Sequence, residues 1–252
     1  MMKKILFFLS LSLLIGFSNE VKAQDPAFSQ FFANPLYLNP AMAGTNICPR
    51  ISLNHRNQWP GIGKTYVTYS ASYDQYIDKL GGGLGFAVAK DVAGAGNLNT
   101  THISASYAYR LKINKKLSIN AGFEAAYRQL GIDWQNLTFG DMIDPVQGFI
   151  YPTNEDIVNY SNSKGFTDFA AGFMGFGNAN NQFDYYFGFA AHHITMPDQG
   201  FIGESRLPMK VTANIGASFP LNRFGTFRTN SGSRPKNAAI LSPNILFQKQ
   251  QD

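Results

Sequence analysis

Two segments of strict alternation, residues 101–111 and 117–128, constrain the fold of this chain most strongly. In both, apolar or aromatic residues alternate with small, polar or charged ones. A period of two places these sets on opposite faces of a β-strand. Strands in soluble domains usually have about five or six residues, whereas a tilted strand that crosses a bilayer needs roughly nine to eleven. The pattern therefore predicts a membrane hairpin with lipid on its apolar face and water on its polar face.

The polar face of this hairpin carries three titratable side chains, His102, Glu124 and Arg128. We expect all three to face the lumen of a barrel. Glu124 and Arg128 lie about 13 Å apart along one strand, at roughly 3.3 Å per residue, which is too far for a direct ion pair. They are therefore expected to contact water in the lumen or to pair across strands, without a catalytic role.

Seven further segments repeat the two-face pattern and bring the predicted number of strands to about nine. They lie near 50–57, at 65–74, 83–89, 169–173, 185–192 and 210–219, and near 239–248. Charged residues make up 15% of the chain, against about 25% in soluble domains. The sequence thus predicts an all-β fold, an antiparallel transmembrane β-barrel of the outer membrane.

The connections between these strands alternate in length, as expected for a barrel with long loops on one side and short turns on the other. The expected outward connections are 58–64, 92–99, 131–166 and 195–208. The inward ones are 77–82, 112–116, 177–183 and 222–237. The longest, 131–166, includes Trp134 and other aromatic residues, so we expect it to fold on itself or against a partner.

Residues 1–23 are predicted to be a signal peptide, because two lysines precede a short apolar core and Val21-Lys22-Ala23 fits a cleavage site. Residues 24–49 then form an N-terminal periplasmic or plug segment, and residues 50–252 a partial transmembrane β-barrel. Single-chain barrels close with an even number of strands. Since the chain stops shortly after the ninth predicted strand begins, we expect C-terminal strands to be missing.

Motifs that could carry chemistry do not fit their required patterns. Residues 61–65 resemble a phosphate-binding loop, but position 58, where that loop needs Gly, is Gln58. His192 and His193 are neighbours on a predicted strand, so they are expected to point to opposite faces and not to share a metal. We therefore predict no enzyme activity, no catalytic or metal-binding residues and no cofactor.

A longer motif opens the mature chain. Residues 24–44 read QDPAFSQFFANPLYLNPAMAG, and further matches lie at 56–60, 81–91, 193–199 and 241–244. With these segments the chain resembles the PorP/SprF family of type IX secretion system membrane proteins over essentially all of residues 24–248. This resemblance implies an outer-membrane component of the Bacteroidetes-type secretion and gliding motility machinery.

The resemblance also implies a function and partners. Such a protein would assist the secretion or surface anchoring of a large adhesin with a C-terminal sorting domain. It would contact periplasmic and lipoprotein components of the machine and outer-membrane lipid, and no nucleic acid. A general porin or small-solute channel remains the alternative, because the same strand pattern would serve it. An acyl-hydrolysing barrel is a third possibility, for which His102 and Ser104 are the nearest candidates.

The N-terminal motif is rich in aromatic residues that need an apolar surface to cover them, and its prolines oppose a regular strand. This surface could belong to a partner or to the inside of its own barrel. The candidate partner contacts are Phe28, Phe31, Phe32, Tyr37, Trp59 and Trp134.

Overall fold

A computed structural model describes residues 25–26, 28, 30–46, 48–61, 66–94, 98–114, 116–155, 161–179, 183–220 and 240–250. The predicted signal peptide and the entire 222–237 connection lie outside the described residues. Within these ranges the chain is all-β and forms one large antiparallel sheet whose strands follow each other in chain order. Its strands are β1 (Arg50–Gln58), β2 (Tyr66–Ile77), β3 (Gly82–Ala93), β4 (Leu98–Lys112), β5 (Leu117–Ile132), β8 (Ser163–Ala179), β9 (Phe183–His192), β10 (Lys210–Pro220), β11 (Ile240–Leu241) and β12 (Asn244–Gln250).

Each of the nine segments predicted as strands contributes to this sheet. The hairpin predicted at 101–111 and 117–128 pairs β4 with β5 in a register that sets Ala105 opposite Ala125. The weak pattern at 169–173 is part of the longest strand, β8, which has 17 residues. The segment near 239–248 divides into β11 and β12 around Pro243, which has no backbone N–H to donate to a ladder.

The two faces of the sheet have an inverted polarity. Along β4 and β5 the polar and small residues are buried, while the apolar and aromatic residues between them are exposed. Ile103 and Phe123, for example, are more than half exposed. We name the buried side the inner face and the exposed side the outer face. A soluble sheet buries its apolar face, so this arrangement is typical of a sheet surrounded by lipid.

The connections differ at the two ends of the sheet. Short turns such as Asp78–Gly81 and residues 113–116 lie at one end, which we name the turn end. Longer connections, including 133–162 and 193–209, lie at the other, which we name the loop end. The 133–162 loop contains a small hairpin of β6 (Ile143–Asp144) and β7 (Gly148–Phe149).

The two long loops contact each other at the loop end. Trp134 packs edge-on against Phe201, with ring centroids 6.1 Å apart. At the start of β8, Lys164 Nζ lies 2.5 Å from Asp198 Oδ2 of the 193–209 loop and also donates to the carbonyl of Gly200. Part of the long loop therefore packs on its own chain.

The sheet is open in the described part of the chain, because β1 and β12 are not hydrogen-bonded to each other. Among the described residues, no helix combines the length and the apolar character that a transmembrane helix requires.

Candidate functional site: the N-terminal segment and a buried charge cluster

Residues 25–46, which we name the N-terminal segment, follow an irregular path of short helical turns. These are 3-10 turns at Phe31–Ala33 and Pro40–Met42 and one short helix, α1 (Pro35–Leu38). Pro35 and Pro40 occupy first-turn positions, where a missing N–H is tolerated. The Asn39 side chain caps the second 3-10 turn by accepting a hydrogen bond from the Ala41 N–H at 2.9 Å.

The N-terminal segment lies on the inner face, and inner-face side chains satisfy its backbone. Asn120 donates to the carbonyl of Ala41 at 3.0 Å, and His192 contacts the carbonyl of Leu38 at 3.2 Å. In return, Asn39 donates to backbone carbonyls of β8 and β9. Residues of β1, β2, β4, β10 and β12 also hydrogen-bond to the segment. The sheet therefore curves around it.

Glycines on the inner face make room for this close approach. A Cβ at Gly83 would meet the backbone of Ala43, and one at Gly122 would meet the backbone of Ala41. Ala41 and Ala43 are themselves fully buried. The small-residue face of β3, which the sequence shows at 83–89, thus accommodates the N-terminal segment.

At the turn end a second set of contacts fixes the end of the segment. Asp74 accepts the backbone N–H of Gly44 at 2.9 Å and forms a two-pronged ion pair with Arg50, at 2.8 and 3.0 Å. Arg110 donates to the carbonyl of Gly44 and lies over the ring of Tyr76. Gly44 has φ +62°, a conformation that favours glycine.

At the loop end five charged or titratable side chains meet, and we name them the loop-end charge cluster. Asp25 is its centre: one carboxylate oxygen lies 2.7 Å from Lys210 Nζ and 2.8 Å from His193 Nε2, and the other lies 3.3 Å from Arg128 Nη1. Asp168 completes the cluster, 2.7 Å from His193 Nδ1 and 3.2 Å from Arg128 Nε. All five side chains are almost completely buried.

The cluster shifts the pKa values of Asp25 and His193, the two members that lie outside the strands. Burial by itself raises the pKa of Asp25, but the charges of Lys210 and Arg128 and the contact with His193 lower it, so the pKa lies well below its ordinary value. Burial lowers the pKa of His193, but its hydrogen bonds to Asp168 and Asp25 raise it, and the net pKa lies above the ordinary value. The arrangement therefore favours an ionised Asp25 beside a protonated His193.

The predicted lumen-facing residues all lie on the inner face. Arg128 belongs to the loop-end charge cluster, and His102 lies opposite it in the β4–β5 register. Glu124 lies 4.0 Å from His102 across the two strands. All three residues are buried.

The predicted partner contacts occupy different environments. Phe28 and Tyr37 pack edge-on at 5.5 Å, and the Tyr37 hydroxyl donates to the Pro26 carbonyl. Phe31 is partly exposed, whereas Phe32 and Trp59 are exposed by 60% and 55%. The sixth, Trp134, is 8% exposed and donates to the Ser161 carbonyl.

Sequence reasoning missed Asp25, Asp168, His193 and Lys210 as cluster members. The expectation that His192 and His193 point to opposite faces was wrong, because both rings contact the N-terminal segment on the inner side, His192 at the Leu38 carbonyl and His193 at Asp25. His193 follows the last residue of β9 and takes φ +57°, so the backbone leaves the strand there. A buried carboxylate needs a buried cation, but only the fold shows which ones meet.

The described residues hold no group of His, Cys, Asp or Glu side chains arranged to bind a metal. Instead the fold and site define a membrane protein: an open antiparallel barrel, apolar outside and polar inside, whose interior is occupied by its own N-terminal segment.

A family model for "Type IX secretion system membrane protein PorP/SprF" matches residues 20–252. The chain therefore belongs to the PorP/SprF family. Neither the curated proteins nor the solved structures gave a match to it.

Proposed function

We propose that this protein is a non-enzymatic outer-membrane component of the type IX secretion system that assists the secretion or surface anchoring of a large adhesin-like cargo. Membership in the PorP/SprF family supports a secretion-system role. The proposed partners are periplasmic and lipoprotein components of the same machinery and a cargo with a C-terminal sorting domain. A contribution to gliding motility belongs to the same proposal.

The observation that carries this proposal is the filled interior. The N-terminal segment runs from the loop-end charge cluster to Gly44 at the turn end, and its residues Leu36, Asn39 and Ala41 are buried against the inner face. A porin leaves an aqueous channel at this position. An interior held by paired charges and backbone hydrogen bonds suits a protein that binds other proteins better than it suits solute passage.

Exposed aromatic residues supply candidate contact points. Phe32 and Trp59 are exposed, and large aromatic side chains dominate many protein–protein contacts. We propose them as partner contacts, whereas Trp134 packs within its own chain.

Crosslinking in cells tests this proposal. A photoreactive amino acid is placed at Phe32 or Trp59 in the full-length protein, and the matched control carries it at Trp134, which is buried. We expect crosslinks to other type IX secretion components or to a sorting-domain cargo from the two exposed positions and fewer from the control. Equal crosslinking from all three positions, or only to unrelated membrane proteins, would contradict the assigned contacts.

Conductance separates this function from the channel alternative. The full-length protein, reconstituted in planar bilayers, is expected to show little steady ion conductance because its interior is occupied. Stable open-channel conductance of porin size, together with no recovered secretion component, would favour the porin instead.

A further inference from the structure

A groove crosses β1, β2 and β3 on the outer face, near the loop end. Ala71 forms its floor, and Leu53 and Val88 are its register partners on the neighbouring strands. The groove is shallow and open to its surroundings, and its volume is about 380 Å³, comparable with the roughly 300–1,000 Å³ of common ligand sites. The depression forms because the Ala71 side chain is shorter than those of its neighbours Leu53 and Val88.

Polar side chains border the groove on its loop-end side. The next register row places His55, Tyr69 and Lys90 next to each other on the three strands. The His55 ring stacks on Tyr69, with ring centroids 4.9 Å apart and an interplanar angle of 26°. The site therefore combines an apolar floor with a basic rim, which is the polarity of an amphiphilic ligand.

Lys90 has no acidic partner on this face. On the outer face of β1 to β5, all of which the structure describes, Lys90 is the one Lys or Arg, and no Asp or Glu is present. The adjacent Asp91 belongs to the inner face, where it accepts a hydrogen bond from Thr68. On the inner face, in contrast, Arg128 and Lys210 are paired with Asp25 within the chain. An anion for Lys90 must come from outside the described chain.

The depth of Lys90 suits a lipid headgroup. A basic residue on the lipid face is costly at the bilayer midplane but is tolerated near the interface. Lys90 lies three residues before the end of β3, on the loop-end side of the apolar rows. Long basic side chains at this depth extend toward headgroups and attract anionic lipids.

We propose that this groove binds one anionic lipid of the surrounding leaflet. Its phosphate lies against Lys90, with His55 and Tyr69 as neighbouring hydrogen-bonding groups. Its acyl chain lies over Ala71 between Leu53 and Val88. The site adds a lipid ligand that is independent of the secretion partners.

Native mass spectrometry of the full-length protein in detergent tests the proposal. Phosphatidylglycerol and phosphatidylcholine with identical acyl chains serve as probes. The natural chain is expected to retain phosphatidylglycerol about fivefold more strongly, and K90Q to lose this preference. K90R should keep the preference. A71F, which fills the groove, should reduce retention of both lipids.

The matched control is K249Q, which removes the outer-face lysine of β12 and should leave the preference unchanged. Heat-dependent migration on gels checks that each variant is folded, and if A71F fails to fold, the K90Q and K90R pair decides. Equal retention of the two lipids by the natural chain would overturn the proposal. So would displacement of the lipid by an equal concentration of inorganic phosphate, because the site would then bind a free anion.

Discussion

The inner and outer faces of the same sheet follow opposite rules. Along β5 the inner residues Asn120, Glu124 and Arg128 make named polar contacts or lie among other buried polar groups. The outer residues Phe123 and Tyr127, one position away from inner residues, are exposed. The inner face therefore depends on individual partners, whereas the outer face depends on being apolar at the right depth.

The two faces are therefore stabilised in different ways, the inner face by specific pairs of side chains and the outer face by the transfer of apolar side chains into lipid. A buried charge needs a particular partner at a particular distance, since an unpaired one is very costly. An apolar side chain in lipid needs no particular neighbour, because lipid tails surround it equally well. We therefore expect conservative substitutions to matter inside and to be tolerated outside, and the predictions below test this contrast.

The largest effect is expected from D25N. Removing this charge leaves His193, Lys210 and Arg128 with one carboxylate among them, and breaking a buried ion pair costs about 3–5 kcal/mol. The N-terminal segment should become sensitive to protease, and the urea midpoint of unfolding in lipid vesicles should fall.

The matched control for D25N is D78N, which removes an exposed carboxylate from the β2–β3 turn and should have little effect. If D25N and D78N behave alike, the loop-end charge cluster does not hold the segment.

The next effect comes from the outer face. F123R places a charge in the middle of β5 on the lipid side, which costs about 2–4 kcal/mol near the bilayer midplane. Q129R places the same charge on the same face near the loop end, where the cost falls to about 0–1 kcal/mol. Urea unfolding in lipid vesicles measures both. Equal costs would mean that β5 does not span the bilayer at this depth.

Neighbouring alanines give the most direct comparison of the two faces. Ala126 is 8% exposed on the inner face, while Ala125 is exposed on the outer face. A126L should cost about 1–3 kcal/mol because the added methyl groups have no room, whereas A125L should change stability by less than about 0.5 kcal/mol. Equilibrium unfolding of the two variants decides. A larger loss of stability in A125L than in A126L would mean that the inner and outer faces are assigned incorrectly.

The smallest effect is expected from pH. The pKa of His193 is raised in the folded protein, so its contribution is complete below its unfolded pKa of about 6.5 and is lost as pH rises through the folded pKa. The pKa of Asp25 is lowered, so its contribution is complete above about pH 4 and is lost as pH falls through the folded pKa. The segment should thus be held best between these limits.

Limited proteolysis across this pH range measures how firmly the segment is held. In H193Q the loss of protease resistance at alkaline pH should disappear, whereas the loss at acid pH should remain. If H193Q loses protease resistance at alkaline pH as the natural chain does, a group other than His193 is responsible for the loss.

Strand positions could be predicted from the sequence because alternation is a local property. The hairpin of β4 and β5 was predicted at 101–111 and 117–128 and extends a few residues further at the loop end. The interruption at Pro243 and the full length of β8 were not predicted. In β8 glycines such as Gly172 and Gly175 weaken the apolar signal, and their role is to leave space for Asn39 and for the Phe187 ring.

Parts of the candidate site could be predicted and others could not. His102, Glu124 and Arg128 were predicted to face the lumen from the two-face pattern alone. Asp25 and Lys210 are 185 residues apart, and no local pattern indicates that they meet. The contact of Trp134 with Phe201 depends on the packing of two loops.

The sequence by itself determined the strands, their two faces and the family, because the alternation and the N-terminal motif can be read over short stretches of chain. Only the tertiary structure decided where that motif goes and which charges hold it. The physical reason is that a buried ion pair depends on distances between residues far apart in the chain. The position of the N-terminal segment on the inner face brings Asp25 within 3 Å of His193 and Lys210.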